Sequence, residues 1–154
     1  MKNKKVLLLS IISISVLFIL SGCSNAGISL SLSPNPVEFS EDQTKQDLAL
    51  TVKTEGLGNI SLDQLIVEVI DEDGQNIFRD TKDIDISEQF IIGGFSKTES
   101  YTLDLENVFK LSDYDNYTTF PELYDRLLKN KSHKLRLTVT GSNDSSLTVQ
   151  INYN

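Results

Sequence analysis

From Ile28 onward the apolar positions recur every second residue. Ile28, Leu30 and Leu32 alternate with serines, and Leu48, Leu50 and Val52 alternate with Ala49, Thr51 and Lys53. Successive side chains of a strand point to opposite faces, so this period predicts strands with one face in a core and one in water. Pro34-Asn35-Pro36 falls between the two runs. Proline has no N–H to give a ladder, which predicts a first strand that is split and lies at a sheet edge. Residues 65–70 (LIVEVI) are apolar on both faces except at Glu68, the pattern of a central strand. Asp71-Glu72-Asp73-Gly74 then predicts a turn into a short strand over residues 76–79.

Tyr101, Leu103 and Leu105 alternate with polar residues and predict a further strand. Leu135, Leu137 and Val139 match Leu147, Val149, Ile151 and Tyr153 across the turn residues 141–144, which predicts a closing hairpin. Residues 106–132 are far too many for a hairpin link. Within them Thr119-Phe120-Pro121-Glu122 has the spacing of a capping box, and Phe120, Leu123, Tyr124, Leu127 and Leu128 follow at helical intervals. That pattern predicts a helix over residues 120–129, stopped near Asn130 and laid on the sheets by its apolar stripe. About seven to eight short strands, with one short helix before the last hairpin, predict a mainly β, two-sheet antiparallel sandwich.

The N-terminus follows a different pattern. MKNKK is followed by an apolar run over residues 6–20 and then by small residues, the order of a secretory signal. A helix of 15 residues spans roughly 22 Å, short of the roughly 30 Å hydrocarbon core of a bilayer. The run ends in Leu20-Ser21-Gly22-Cys23-Ser24, which holds the only cysteine of the chain. Leu-Ser-Gly-Cys resembles the lipobox of bacterial lipoproteins, and the resemblance implies cleavage before Cys23 after its thiol is joined to diacylglycerol. Two acyl chains hold a protein stably on a membrane where one holds it marginally. The resulting division is a signal peptide over 1–22, a lipidated tether over 23–27 and a domain over 28–154, outside the cytoplasm on a bacterial membrane. A single cysteine allows no intramolecular disulfide, so stability rests on a packed core.

Fourteen Lys and Arg stand against 22 Asp and Glu, a formal charge of −8. Removal of residues 1–22 takes away Lys2, Lys4 and Lys5 and no acid, leaving −11. Such a field opposes nucleic acid and anionic headgroups, which need clustered cations. A 132-residue remainder suits one domain with its own core.

PNPVEF at the split first strand, IGGFSKTESYTLDL approaching a later one, and the closing hairpin resemble immunoglobulin-like domains of bacterial surface proteins. The resemblance implies an immunoglobulin-like sandwich over residues 28–154. The paired cysteines and core tryptophan of true immunoglobulin domains are absent, so no site carries over.

No constellation of catalytic residues is evident, and no cofactor is implied. His133 is the only histidine and stands where a strand begins, which predicts an exposed strand-end residue. With one His and one Cys a zinc-type site is excluded by count. Asp71, Asp73 and Gly74 match positions three, five and six of an EF-hand loop, but position one is Val69 and position twelve is Asp80, so a plain turn is expected. Asp83, Asp85 and Glu88 read as a second acidic loop and Asp113–Tyr117 as a third, solvated rather than metal-binding. Gly93-Gly94 lacks the lysine of a phosphate loop and reads as a turn. Tyr114 and Tyr117, among Asp113, Asp115 and Asn116, lie outside the helical stripe and are the candidate partner-binding residues, since tyrosine combines large contact area with a polar end. The leading expectation is a non-catalytic binding or adaptor module of the cell envelope with a protein or envelope-component partner. A protease inhibitor presenting a loop, and an enzyme of unrecognised type, are the alternatives.

Overall fold

A computed structural model describes residues 27–55, 58–90 and 94–154. The signal-like segment, the lipobox and Cys23 lie outside the described residues, as does Gly93 of the expected Gly93-Gly94 turn.

The split first strand organises the sandwich. β1 (Gly27–Ser33) runs antiparallel to β3 (Lys45–Glu55), which pairs in turn with β6 (Phe95–Asp104). After Pro34 and Pro36 the chain crosses to the other sheet, where β2 (Val37–Phe39) lies parallel to β8 (Ser145–Tyr153). The prolines therefore occupy the crossing, where no ladder needs their missing N–H. The second sheet continues from β8 through β7 (His133–Gly141) and β4 (Gly58–Ile70) to β5 (Asn76–Phe90). Eight strands in sheets of three and five make the β-sandwich expected from the sequence.

Leu48, Leu50, Val52 and Leu103 of the smaller sheet face Leu65, Val67, Val69, Leu135, Leu137 and Val139 of the larger, all 0–2 % exposed. Burying each such side chain contributes about 1.5–3 kcal/mol relative to exposure, before the entropy of ordering it. β4 sits between β5 and β7, as LIVEVI predicts, but begins at Gly58 rather than Leu65. A register shift between Leu62 and Gln64 brings Ile60 and Leu62 onto the same inward face as Leu65 and Val67, which breaks the two-residue period in the sequence.

β5 is likewise longer than residues 76–79. Asp83 and Asp85 stand on the strand, alternating with the buried Ile84 and Ile86, and are not loop residues. β5 and β6 are edge strands on the same flank of the sandwich, and long side chains bridge them. Lys82 Nζ donates to Glu99 (3.2 Å) and to the Ser100 carbonyl (2.9 Å), Lys97 Nζ donates to the Asp85 carbonyl (2.7 Å), and the Tyr101 hydroxyl donates to Asp80 (2.8 Å). Each lysine covers a carbonyl of the opposite edge, one of the ways proteins keep edge strands from pairing with other chains. On the outer face of β4, Glu68 lies between its cross-strand neighbours Arg79 and Arg136 and also accepts from Asn76. The hydrogen bond from Arg136, 2.7 Å long, holds the Glu68 carboxyl below the usual carboxylate range against the opposing effect of its burial.

The long connection between β6 and β7 closes one end. Asp104 accepts from the Glu106 N–H and starts a single turn, α1 (Leu105–Val108). Leu105, expected to end a strand, instead begins this turn and is fully buried. α2 (Phe120–Arg126) starts as expected, with Thr119 Oγ1 accepting from the Glu122 N–H, but Glu122 reaches back to the Thr118 N–H rather than to that of Thr119. α2 is shorter than predicted, because a 3₁₀ turn at Leu128–Asn130 finishes the segment. The Tyr124 hydroxyl, buried beneath α2, donates to the Phe39 carbonyl (2.9 Å), with the Asn154 carbonyl also in reach at 3.2 Å.

Two substitutions test this account. Tyr124→Phe removes one buried hydrogen bond and is expected to cost about 1 kcal/mol, while Tyr124→Ala costs about 3–5 kcal/mol, both read from denaturant unfolding. Gly141 lies against β4 so closely that a Cβ would stand 2.1 Å from the Ser61 carbonyl oxygen and 2.7 Å from the Leu62 Cα. Both neighbours are backbone, so Gly141→Ala is expected to cost about 1–3 kcal/mol, and an unshifted midpoint would contradict that packing.

Candidate functional site

The closed end carries a cavity of ≈ 230 Å³. Its inner wall is built from the insert: Phe109 after α1, Tyr114 after a 3₁₀ turn at Leu111–Asp113, and Leu127 and Leu128 after α2. The rim is the β4–β5 turn, Asp71, Glu72 and Asp73, with Ile77 of β5 and Lys131. Ile77 is 38 % exposed, the one large apolar side chain among the described residues that is. His133 also lines the cavity.

His133 is not the exposed residue expected at a strand end. It is 5 % exposed, its ring edge-to-face with Phe109 (5.1 Å) and with Tyr153 (5.6 Å). Nδ1 lies 2.9 Å from the Tyr153 hydroxyl. The signal was present in the sequence: His133 has the same parity as Leu135, Leu137 and Val139, and that parity faces inward. The position reads as exposed only because the insert residue that covers it, Phe109, lies well before it in sequence. Burial pushes the imidazole pKa below its ordinary value, with Glu72 and Asp71 partly opposing. Its nearest polar partner is a phenol, so no Ser-His-Asp arrangement assembles around it.

The acidic turn is organised by its own first residue. Asp71 Oδ1 accepts from the N–H groups of Asp73 (3.0 Å) and Gln75 (2.7 Å), and Gly74 takes the positive φ of +82° that the turn requires. Glu72 accepts from the Ser132 N–H (2.8 Å) and stands 4.0 Å from Lys131 Nζ. The carboxylate of Asp73 enters no hydrogen bond or ion pair among the described residues. Among them, too, no three His, Cys, Asp or Glu side chains are placed to hold a metal ion.

The expected recognition segment divides. Tyr114 lines the cavity and meets Tyr117 edge-on at 6.4 Å, and both rings are half-buried against the core. Burial raises the pKa of Tyr114, with the charge of Asp113 adding to it. Asp113 faces the neighbouring, more polar groove of ≈ 610 Å³ between β5 and β6, with Arg79, Asp80 and Lys110. Asp115 is exposed in the tight turn closed by the Tyr117 N–H on the Tyr114 carbonyl, and lines neither. Of the residues lining the cavity, the sequence marks Tyr114 as a candidate contact, reads Leu127 as part of the helical stripe, Asp73 as part of a turn and His133 as exposed, and gives no sign of Phe109.

No family model and no curated protein matches the chain. Among solved structures, a β-glucosidase from Listeria innocua in complex with isofagomine is similar over 85 % of this chain and 17 % of its own, at 15 % identity and a TM-score of 0.46. Spo0M, a sporulation control protein from Bacillus subtilis, is similar over 85 % of this chain and 50 % of its own, at 13 % identity and a TM-score of 0.42. The putative ApaA protein from Bordetella pertussis is similar over 82 % of this chain and 89 % of its own, at 13 % identity and a TM-score of 0.35. The chain thus spans about a sixth of the glucosidase and half of Spo0M, and likeness at this level carries no functional meaning.

The buried imidazole makes stability depend on pH in a defined direction. Its folded pKa lies below the unfolded value of about 6.5, so between the two the unfolded chain binds the extra proton and stability falls as pH falls. Thermal unfolding from about pH 7.5 to 5 should therefore lower the midpoint more steeply for the native chain than for His133→Gln. Equal slopes would assign the dependence to other groups.

Proposed function

We propose that the chain is a lipid-anchored, extracytoplasmic, non-catalytic binding module of the cell envelope, and that the cavity at the closed end is where it meets a partner. The lipobox resemblance at Cys23 supplies the anchor. The observation that carries the reading is the opposition of the two ends. Gly27 pairs with Glu55, beside the start of β4 and the β7–β8 turn, whereas the cavity lies beyond Ile70 and His133. β4 joins these ends over 13 residues, roughly 40 Å at 3.3 Å per residue. A tether at residues 23–27 would hold one end at the membrane and turn the cavity away from it.

Cavity size favours protein recognition over small-molecule chemistry. Sites for small molecules occupy about 300–1,000 Å³, and ≈ 230 Å³ suits a single anchoring side chain. The inhibitor alternative asks for a loop projected into a protease. Here Leu123, Tyr124 and Leu128 of the insert are 0–1 % exposed, so the segment packs on the sandwich instead.

Two measurements in intact cells test the proposal. Cys23→Ala should abolish processing and membrane partitioning; a processed, membrane-bound variant would overturn the anchor. A photo-crosslinking residue at Ile77, at the cavity mouth, should capture a discrete partner that the same residue at Ser87, on the same strand toward the opposite end, does not. Equal capture at both positions, or none at Ile77, would overturn the assignment of the binding end.

A further inference from the structure

Resting on that reading, we infer that the cavity takes the aliphatic stem and cationic head of a lysine or arginine side chain presented by a protein partner, with Asp73 as its counter-charge. Three independent observations converge. The walls are apolar where a stem would lie: Phe109, Leu127 and the Tyr114 ring line the interior, and Ile77 stands exposed at the mouth. Long basic side chains bury such stems while keeping their charge at the rim. The volume of ≈ 230 Å³ holds one side chain.

The charges on the rim are unequally committed. Asp71 is held by two backbone N–H groups of its own turn, and Glu72 by the Ser132 N–H and Lys131. Asp73 alone of the three has no partner among the described residues. At the base of the cavity, His133 is 5 % exposed and its Nδ1 is paired with the Tyr153 hydroxyl. A rim on which three carboxylates outnumber the one cation, Lys131, over an apolar wall, fits a cation carried on an aliphatic stem. An acidic side chain would meet Asp71, Glu72 and Asp73 together, and a purely apolar one would leave Asp73 unmatched.

His133 is the only histidine, so it reports on its own cavity. The full chain, labelled with ¹³C at histidine Cε1 and held in detergent micelles at about pH 7.5, gives one resonance for the site. Nα-acetyl-lysine amide and Nα-acetyl-arginine amide are titrated against the uncharged isostere Nα-acetyl-norleucine amide. The cationic probes should shift the resonance saturably and bind about two- to fivefold tighter than norleucine, the worth of one exposed ion pair. Asp73→Asn should remove that preference while leaving norleucine binding unchanged, and so should raising salt from about 50 to 500 mM. Equal affinity for norleucine and lysine, a preference that survives Asp73→Asn, or no shift with any probe would each overturn the inference. The crosslink at Ile77 separates the two levels: if it persists without cation preference, the basic anchor fails and the binding module stands; if both vanish, both fail.

Discussion

The hydroxyl of Tyr124 holds together the parts of this domain that the sheets alone do not. β2 is joined to β8 by only three residue pairs, and both strands end at the same place. The Phe39 carbonyl there accepts from Tyr124 and from the Asn154 N–H (2.9 Å), so one oxygen ties β2, the chain end and α2. A carbonyl oxygen can accept two hydrogen bonds, and the insert supplies the second, worth about 0.5–1.5 kcal/mol. From this point a chain of rings runs to the cavity. Tyr153 contacts Tyr124 (6.0 Å), Phe39 (6.5 Å) and His133 (5.6 Å), and His133 contacts Phe109 (5.1 Å). The cavity therefore rests on the closure of the sandwich end, and the insert that closes the end also forms its inner wall.

What the sequence revealed follows from how local each signal was. The closing hairpin, the proline break in the first strand, the Asp71–Gly74 turn and the Thr119 cap are fixed by residues within a few positions of one another, and all were legible; that the break is a crossing between sheets was not. The first half of β4 was hidden because the irregularity near Leu62 and Gln64 changes which parity faces inward. The strand character of Asp83 and Asp85 was masked by charge, although their alternation with Ile84 and Ile86 carried the period. The site was the least legible part, since it joins residues from 71 to 133 that meet only after both sheets and the insert have packed. Tyr114 could be singled out by composition. The inward parity of His133 is readable from its strand, but its contacts with Phe109 and Tyr153 are not announced in sequence.

The acidic composition also looks different once positions are known. Glu68 lies between two arginines on the outer face of the central strand, Glu99 between two lysines at the sandwich edge, and Asp104 beside Lys45 at 3.0 Å. These carboxylates are matched locally, and their partners are half-exposed, so each pair contributes little to stability on its own. They serve position more than energy: the edge lysines reach across to the opposite sheet, and the Glu68 group fixes the spacing of β5, β4 and β7. The surplus negative charge is consequently left to turns and strand faces that no cation covers.

Asp73 belongs to that surplus, but its setting differs from that of a charge on a free loop. The turn that carries it is closed at both ends, by the Asp71 N–H on the Gln75 carbonyl and by the two N–H groups that Asp71 Oδ1 accepts. The backbone of Asp73 is one of those two donors, so the residue is held by the same bonds that neutralise the donor capacity of the turn. The backbone of the turn is fixed by these bonds, while the Asp73 carboxylate, which enters no hydrogen bond or ion pair among the described residues, keeps its own side-chain rotation at the rim. The apolar wall opposite is equally fixed, because Leu128 is fully buried and Phe109 is 3 % exposed. The backbone of the turn on one side and the Tyr124-anchored insert on the other thus set the shape of this end of the sandwich.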